Sequence, residues 1–166
     1  VMYAFSSNST LGTLSGAYTK GGLTFSDDTM YGTISGISKY LLRCSADNVK
    51  TFSVPSTIEA IASDAFNGHT ELTNITFDSA LKTIGARAFS GCVGLKDFTI
   101  PTSLTGIGYK AFYGCIGLST VTIPSQVESL GISAFEGCKG LKTVSVGGGV
   151  STVSYRAFYD CLKTVR

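Results

Sequence analysis

The sequence predicts an α/β repeat solenoid, with a curved parallel β-sheet on one side and short helical turns on the opposite face. Two observations favour this fold class: a dipeptide that recurs every 23 residues, and apolar columns that keep the same spacing. The dipeptide is Ala-Phe, at Ala65-Phe66, Ala88-Phe89, Ala111-Phe112, Ala134-Phe135 and Ala157-Phe158. The clearest apolar column is Leu72, Leu95, Leu118 and Leu141. One such unit cannot bury its apolar side alone, so stacked copies are expected to share one core.

The composition bears on several classes of protein. Hydrophobic residues make up 43% of the 166 residues and charged residues 14%, which disfavours disorder. The formal net charge of +2 gives no electrostatic argument for nucleic acid or an anionic membrane as a partner. No apolar run reaches the roughly 18 residues of a transmembrane helix. Residues 1–5 lack the basic start and long apolar core of an intact signal peptide.

Each repeat is expected to begin with a short strand. The segment L-x-x-V-x-V is rich in β-branched residues and alternates apolar with polar residues at its end. Pro55, Pro101 and Pro124 follow three of these segments, and proline suits a strand end because it has no N–H to donate. The predicted strands are 49–54, 72–77, 95–100, 118–123, 141–146 and 162–165.

The second half of each repeat, V-x-x-I-G-x-x-A-F, has apolar residues three or four apart. This spacing predicts one or two turns of α- or 3₁₀-helix, and the following G-C-x-G turns the chain back towards the next strand. Residues 44–166 therefore form about five repeats of a solenoid in this interpretation.

Residues 1–43 do not follow the 23-residue period. Leu23–Phe25 and Met30–Ile34, separated by Ser26-Asp27-Asp28, predict two strands joined by a turn. We predict that residues 1–43 form a β-rich N-terminal cap, since solenoids generally need one. The alternatives are degenerate repeats that continue the solenoid, or a separate module.

Four of the five cysteines share one repeat position, which His69 occupies in the first complete repeat. They are Cys92, Cys115, Cys138 and Cys161, with Cys44 outside the column. A 23-residue spacing places thiols in a line on successive rungs, whereas zinc needs ligands converging on one point. A ladder of small buried residues is favoured, ahead of disulfides between adjacent rungs or metal binding. With one histidine in the chain, the sequence predicts no catalytic, metal or cofactor site.

Three stretches carry a resemblance to a known family: "FSVPSTIEAIASDAF", "FTIPTSLTGIGYKAFYGC" and "VTIPSQVESLGISAFEGC". In these motifs and in its period, the chain resembles BspA-like leucine-rich-repeat proteins over about residues 46–166. The resemblance implies a leucine-rich-repeat solenoid in a cell-surface or secreted protein of bacteria or mucosal protozoa. It also implies a role in adhesion to host proteins, other microbes or surfaces, with no catalytic residues.

The alternation along each strand predicts which side chains point outward. We call these ten positions the strand face: Thr51, Ser53, Asn74, Thr76, Asp97, Thr99, Thr120, Thr122, Thr143 and Ser145. The face is small, polar and nearly uncharged. It is either a solvated β-surface or a concave binding surface for a protein or glycan. Its threonine rows also resemble those of ice-binding solenoids, but Asn74 and Asp97 interrupt them.

A second candidate surface lies on the predicted helical side. Its residues fall in matching repeat positions, and tyrosine and arginine are common at interaction hot spots. They are Arg87, Tyr109, Lys110, Tyr113, Tyr155, Arg156 and Tyr159. The alternative is that the tyrosine rings pack over neighbouring repeats with wet hydroxyls.

The sequence therefore predicts an extracellular or cell-surface binding scaffold without catalysis. Its expected partner is a protein, such as a host matrix or surface protein, or a glycan, and not nucleic acid. The alternative is a structural element that self-associates through an uncapped C-terminal rung, because an exposed edge strand can pair with another chain.

Overall fold

The solenoid occupies most of the chain. A computed structural model describes residues 49–161, apart from 55, 57, 78 and 79, together with the backbone of four strands between residues 18 and 44. Those four strands are β1 (Tyr18–Lys20), β2 (Leu23–Ser26), β3 (Thr29–Ile34) and β4 (Ser38–Cys44). The longer strands of the repeats are β5 (Thr51–Val54), β7 (Asn74–Phe77), β10 (Thr120–Ile123) and β12 (Thr143–Val146). The two-residue strands are β6 (Ala60–Ile61), β8 (Thr83–Ile84), β9 (Gly106–Ile107) and β11 (Ser129–Leu130).

The first four strands form an antiparallel meander. The predicted pair of strands is confirmed, because β2 and β3 are antiparallel with Ser26 opposite Thr29. Strand β4 then pairs in parallel with β6, so that the meander and the two-residue strands share an eight-stranded sheet. The division into a cap of residues 1–43 and a solenoid of 44–166 stays a prediction.

Successive repeats stack in parallel, in the 23-residue register that the sequence predicts. Thr51 pairs with Asn74 between β5 and β7, and Thr120 pairs with Thr143 between β10 and β12. The two-residue strands form a second parallel stack in the order β6, β8, β9 and β11. Each rung therefore has a strand side, which carries the longer strands, and a turn side, which carries the Ala-Phe segment.

The prediction of a strand at 95–100 is wrong, since these residues adopt no regular strand. On the side that faces the fourth rung, the reason lies in hydrogen bonding at the start of the rung. Elsewhere a backbone carbonyl accepts from the next rung, as that of Lys50 accepts from the N–H groups of Thr73 and Asn74. At the third rung, the Asp97 carboxylate accepts from the N–H groups of Ser119 and Thr120. The predicted last strand, 162–165, lies outside the described residues.

The turn side differs from the helical turns that the sequence predicts. In the described residues it forms hydrogen-bonded turns and no helix. The N–H of Phe89 donates to the carbonyl of Ala111 on the next rung, whereas the N–H of Ser90 donates to Arg87 in its own rung. Because alternate N–H groups donate to carbonyls of the neighbouring rung, a helical i→i−4 ladder cannot form. Nor does this part of the chain hold a helix with the length and hydropathy to cross a membrane.

The core is a continuous column between the two sides. Four phenylalanines of the Ala-Phe dipeptide are 0% exposed: Phe66, Phe89, Phe112 and Phe135. Their rings stack with centroids 5.0 to 5.1 Å apart and interplanar angles of 6 to 9°. Phe158 continues the stack at 5.4 Å from Phe135, so each of the four buried rings except Phe66 has a stacked ring on either side.

Glycine permits the close approach of the rungs. A Cβ on Gly131 would collide with the backbone of Gly108 and Tyr109 on the preceding rung. The repeated Ile-Gly or Leu-Gly pair thus places a residue without a side chain where two backbones meet.

Candidate binding surfaces

The ten strand-face residues are all exposed, as the alternation predicts. Between them, inward residues such as Ile75 and Ile123 are buried. Neighbouring rungs place like residues side by side, and the Thr76 hydroxyl donates to the Ser53 hydroxyl at 2.9 Å. The resulting surface offers hydroxyl groups that both donate and accept hydrogen bonds. Its part in binding stays a proposal.

Asp97 is the one acid of the strand face. Its carboxylate accepts from the N–H of Ser119 at 2.6 Å, from the hydroxyl of Ser119 at 2.5 Å, and from the N–H of Thr120 at 2.9 Å. Burial acts to raise the pKa of Asp97, but these hydrogen bonds outweigh it and lower the pKa to about 2. The charge is thus held against the backbone of the next rung.

Three lysines border the strand face, and the sequence reasoning missed them. Lys50, Lys96 and Lys142 are exposed and lie two rungs apart, each one residue before the first strand-face residue of its rung, with Thr73 and Ser119 at the same position of the rungs between them. None of the three forms an ion pair within the described residues. Their 46-residue spacing, twice the repeat, is the signal that would have identified them in the sequence.

The second candidate surface contains two copies of a motif in which a cation lies between two tyrosines in the sequence, at equivalent repeat positions. Within the first copy, the Lys110 ammonium lies 5.3 Å from the ring centre of Tyr109 and 4.8 Å from that of Tyr113. The second copy, two rungs away, has the Arg156 guanidinium 4.0 Å from the ring centre of Tyr159. These are cation–π contacts. We call the four exposed tyrosines of the two copies the tyrosine patch: Tyr109 (43% exposed), Tyr113 (38%), Tyr155 (73%) and Tyr159 (57%).

The arginines beside this patch are paired with carboxylates. Arg87 donates two hydrogen bonds of 2.8 Å to Asp64 on the preceding rung. Arg156 donates one of 2.6 Å to Glu136. The Arg87 side chain therefore points towards Asp64, whereas its backbone N–H donates to the Tyr109 carbonyl on the next rung at 2.8 Å. Each acidic partner lies on the rung that precedes its arginine. The sequence alone did not predict these two pairs.

The cysteine column is a ladder of buried free thiols, as predicted. Cys92, Cys115 and Cys138 are 0% exposed, and Cys161 is half-buried. Each thiol donates to a phenylalanine carbonyl of the preceding rung, for example Cys115 to Phe89 at 3.1 Å. Burial raises the pKa of Cys92 to about 12, so this thiol is not a nucleophile at neutral pH. Of Cys44, the structure describes only the backbone.

His69 occupies the first position of the same column. It is 6% exposed, and its ring meets that of Phe66 edge to face at 5.7 Å. Its Nε2 has no hydrogen-bond partner among the described residues. Within that part of the chain, no three His, Cys, Asp or Glu side chains lie close enough together to hold a metal ion. The arrangement of His69 is that of a core residue.

Several solved bacterial structures have a similar fold. One is a leucine-rich-repeat protein of Bacteroides ovatus, 31% identical over 75% of this chain and 32% of that chain, with a TM-score of 0.60. Another is a leucine-rich cell surface protein of Faecalibacterium prausnitzii, 26% identical over 87% of this chain and 46% of that one, with a TM-score of 0.68. The pneumococcal vaccine antigen PcpA, 24% identical over 74% of this chain and 32% of its own, shares the fold with a TM-score of 0.63. This chain thus spans less than half the length of each.

The sequence also matches a family of repeats. Six copies of the BspA-type leucine-rich repeat cover residues 35–164. A search of curated proteins finds no match. The six copies, on a stack of parallel rungs in the same register, show that this chain belongs to the BspA-type leucine-rich-repeat family.

Proposed function

We propose that the protein is an extracellular or cell-surface binding scaffold, which recognises a protein or glycan through its strand face without catalysis. The observation that carries the proposal is the array of ten exposed polar side chains on this face, eight of which lie on strands paired in the 23-residue register. The family supports it, because leucine-rich repeats typically serve as binding scaffolds. The F. prausnitzii relative is itself a cell surface protein.

The strand face suits recognition for a physical reason. Five rungs at about 4.8 Å spacing extend the face over roughly 19 Å along the solenoid. Threonine and serine have few rotatable bonds, so ordering them on binding loses little conformational entropy. Their hydroxyl groups are already positioned by the strands, which favours an extended partner that is rich in hydrogen-bonding groups.

Charge-introducing substitutions on the strand face test the proposal. We expect Thr120→Lys and Thr143→Glu to abolish binding to a partner found by screening matrix proteins and glycans. Gln126→Lys is the matched control, because it adds a charge at an exposed position between β10 and β11, off the strand face. Circular dichroism and thermal melting would check that all three variants fold. Binding that survived both strand-face substitutions would contradict the proposal.

The alternative, self-association through the C-terminal rung, concerns residues that lie outside the described part of the chain. It predicts that particle size grows with protein concentration. Size-exclusion chromatography with light scattering over a concentration series would separate it from the binding scaffold. A monomer at every concentration would contradict self-association.

A further inference from the structure

The tyrosine patch repeats along the solenoid. The sequences Tyr-Lys-Ala-Phe-Tyr at 109–113 and Tyr-Arg-Ala-Phe-Tyr at 155–159 place two tyrosines and a cation at equivalent positions two rungs apart. Their alanine and phenylalanine are inward-facing core positions, so the exposed tyrosines are not needed to form the core. Two rungs correspond to about 9.6 Å.

A row of apolar surface connects the two copies. Ile132 occupies the rung between Tyr109 and Tyr155 at the same repeat position, and it is 49% exposed. Backbone hydrogen bonds fix these rungs side by side, since the N–H of Lys110 donates to the Ile132 carbonyl and the N–H of Ser133 to the Tyr155 carbonyl. The row thus runs along the solenoid axis over three consecutive rungs.

The fixed charges around this row are largely neutralised. Arg156 is paired with Glu136 at 2.6 Å, and Lys139 with Asp160 at 3.3 Å. Lys110 has no carboxylate partner among the described residues, but its ammonium lies against two tyrosine rings. A highly charged ligand would meet little uncompensated charge here. An uncharged ligand would meet exposed aromatic and aliphatic surface, with hydroxyl and cationic N–H groups at its edges.

We propose that the tyrosine patch binds an uncharged, extended, β-linked polysaccharide that lies parallel to the solenoid axis. Tyrosine rings offer apolar faces to the C–H groups of a sugar ring and hydroxyl groups to its polar edge. An extended β-1,4-linked chain presents every second sugar in the same orientation, which matches two tyrosine pairs at equivalent repeat positions two rungs apart. Such a repeat is intrinsic to the polysaccharide chain, so the duplicated arrangement favours it over a globular protein partner.

The length of the ligand provides the first test. Isothermal titration would compare hexasaccharides of β-1,4-linked glucose and of β-1,4-linked N-acetylglucosamine with the corresponding disaccharides. We expect one of the hexasaccharides to bind at least about tenfold more tightly than its disaccharide, because only the longer chain reaches both tyrosine pairs. Absence of binding to both hexasaccharides would overturn the proposal.

Substitution of the row provides the second test. Tyr109→Ala and Tyr155→Ala should each weaken hexasaccharide binding about tenfold or more, whereas Tyr155→Phe keeps the ring and most of the affinity. Unchanged binding in both alanine variants would overturn the proposal, as would tyrosine-dependent capture of a protein with no glycan binding. Both tyrosines are more than a third exposed, so the fold is expected to survive, and thermal melting checks this.

A substitution on the strand face distinguishes the polysaccharide site from the site of the proposed function. Thr120→Lys should leave hexasaccharide binding unchanged, because Thr120 lies on the strand side and the tyrosine patch on the turn side. Loss of hexasaccharide binding in Thr120→Lys, with normal binding in Tyr155→Ala, would assign the glycan to the strand face. That outcome would support the proposed function and overturn the second site.

Discussion

On the strand side of the solenoid, neighbouring strands pair residue for residue, so that Thr120 lies beside Thr143. On the turn side, the N–H of Phe112 reaches the Ala134 carbonyl of the next rung. The N–H of Tyr113 instead closes a turn within its own rung. The strand side thus uses a parallel ladder that is interrupted at residues 95–100, whereas the turn side divides its donors between the neighbouring rung and local turns.

The two sides therefore place different demands on the sequence. One position of the turn side has a positive φ of 52 to 60° in every repeat, and its residues are Asp64, Arg87, Lys110, Ser133 and Arg156. Such values are uncommon outside glycine and hold only where the surroundings enforce them. The strand side needs only alternation and register. Its outward side chains can consequently change without disturbing the core, which leaves that surface free for recognition.

The largest expected effect is the loss of a core ring on the turn side. Phe112→Ala should lower the free energy of unfolding by about 3–5 kcal/mol, because it opens a cavity between two stacked rings. Phe98→Ala, on the strand side, should cost clearly less, since Phe98 is only half-buried. Chemical denaturation of both variants measures the difference. Equal losses would contradict the distinction between the two sides.

The next largest loss of stability is expected where the backbones of two rungs come close together. Gly131→Ala should destabilise the protein by about 1–3 kcal/mol, because its Cβ would collide with the preceding rung. Gly148→Ala is the matched control, as an added Cβ there meets nothing within 4 Å, and we expect a change within about 0.5 kcal/mol. Thermal or chemical unfolding compares the two. A destabilising Gly148→Ala would argue against steric contact as the cause.

Asp97 allows the strand side to be probed by pH. Its folded pKa of about 2 lies below the unfolded value of about 3.9, so its contribution to stability is present above pH 4 and is lost as the pH falls towards 2. Because the side chain is exposed, we expect this contribution to be below about 1 kcal/mol. Asp97→Asn should remove it, and unfolding measured between pH 2 and pH 6 would then vary less than in the native chain. An unchanged pH profile would contradict this role.

The smallest effect is expected from the exposed ion pair of the turn side. Arg87 and Asp64 are 47% and 39% exposed, so water and salt screen their attraction. A double-mutant cycle with Arg87→Ala and Asp64→Ala should give a coupling near the limit of detection, and a smaller one at high salt. A large coupling that persisted in salt would show that the pair helps to hold the positive φ of the turn.

Repetition explains how much of the fold could be predicted. A 23-residue period places equivalent residues in equivalent surroundings, so the burial of Phe112 and Cys115 and the exposure of Thr120 and Thr122 follow from the sequence. The division of residues 1–43 from the solenoid, and the ligand of either surface, do not follow from it, because the repeat consensus describes the core.

The sequence alone determined the register of the rungs, the side chains that form the core and those that point outward, because each depends only on position within the repeat. The tertiary structure decided what lies between rungs. It placed the N–H groups of Ser119 and Thr120 on the Asp97 carboxylate, paired Arg156 with Glu136, and formed turns where helix was predicted. Each of these depends on distances between residues about 20 or more positions apart, because a donor bonds whichever acceptor the neighbouring rung brings within reach.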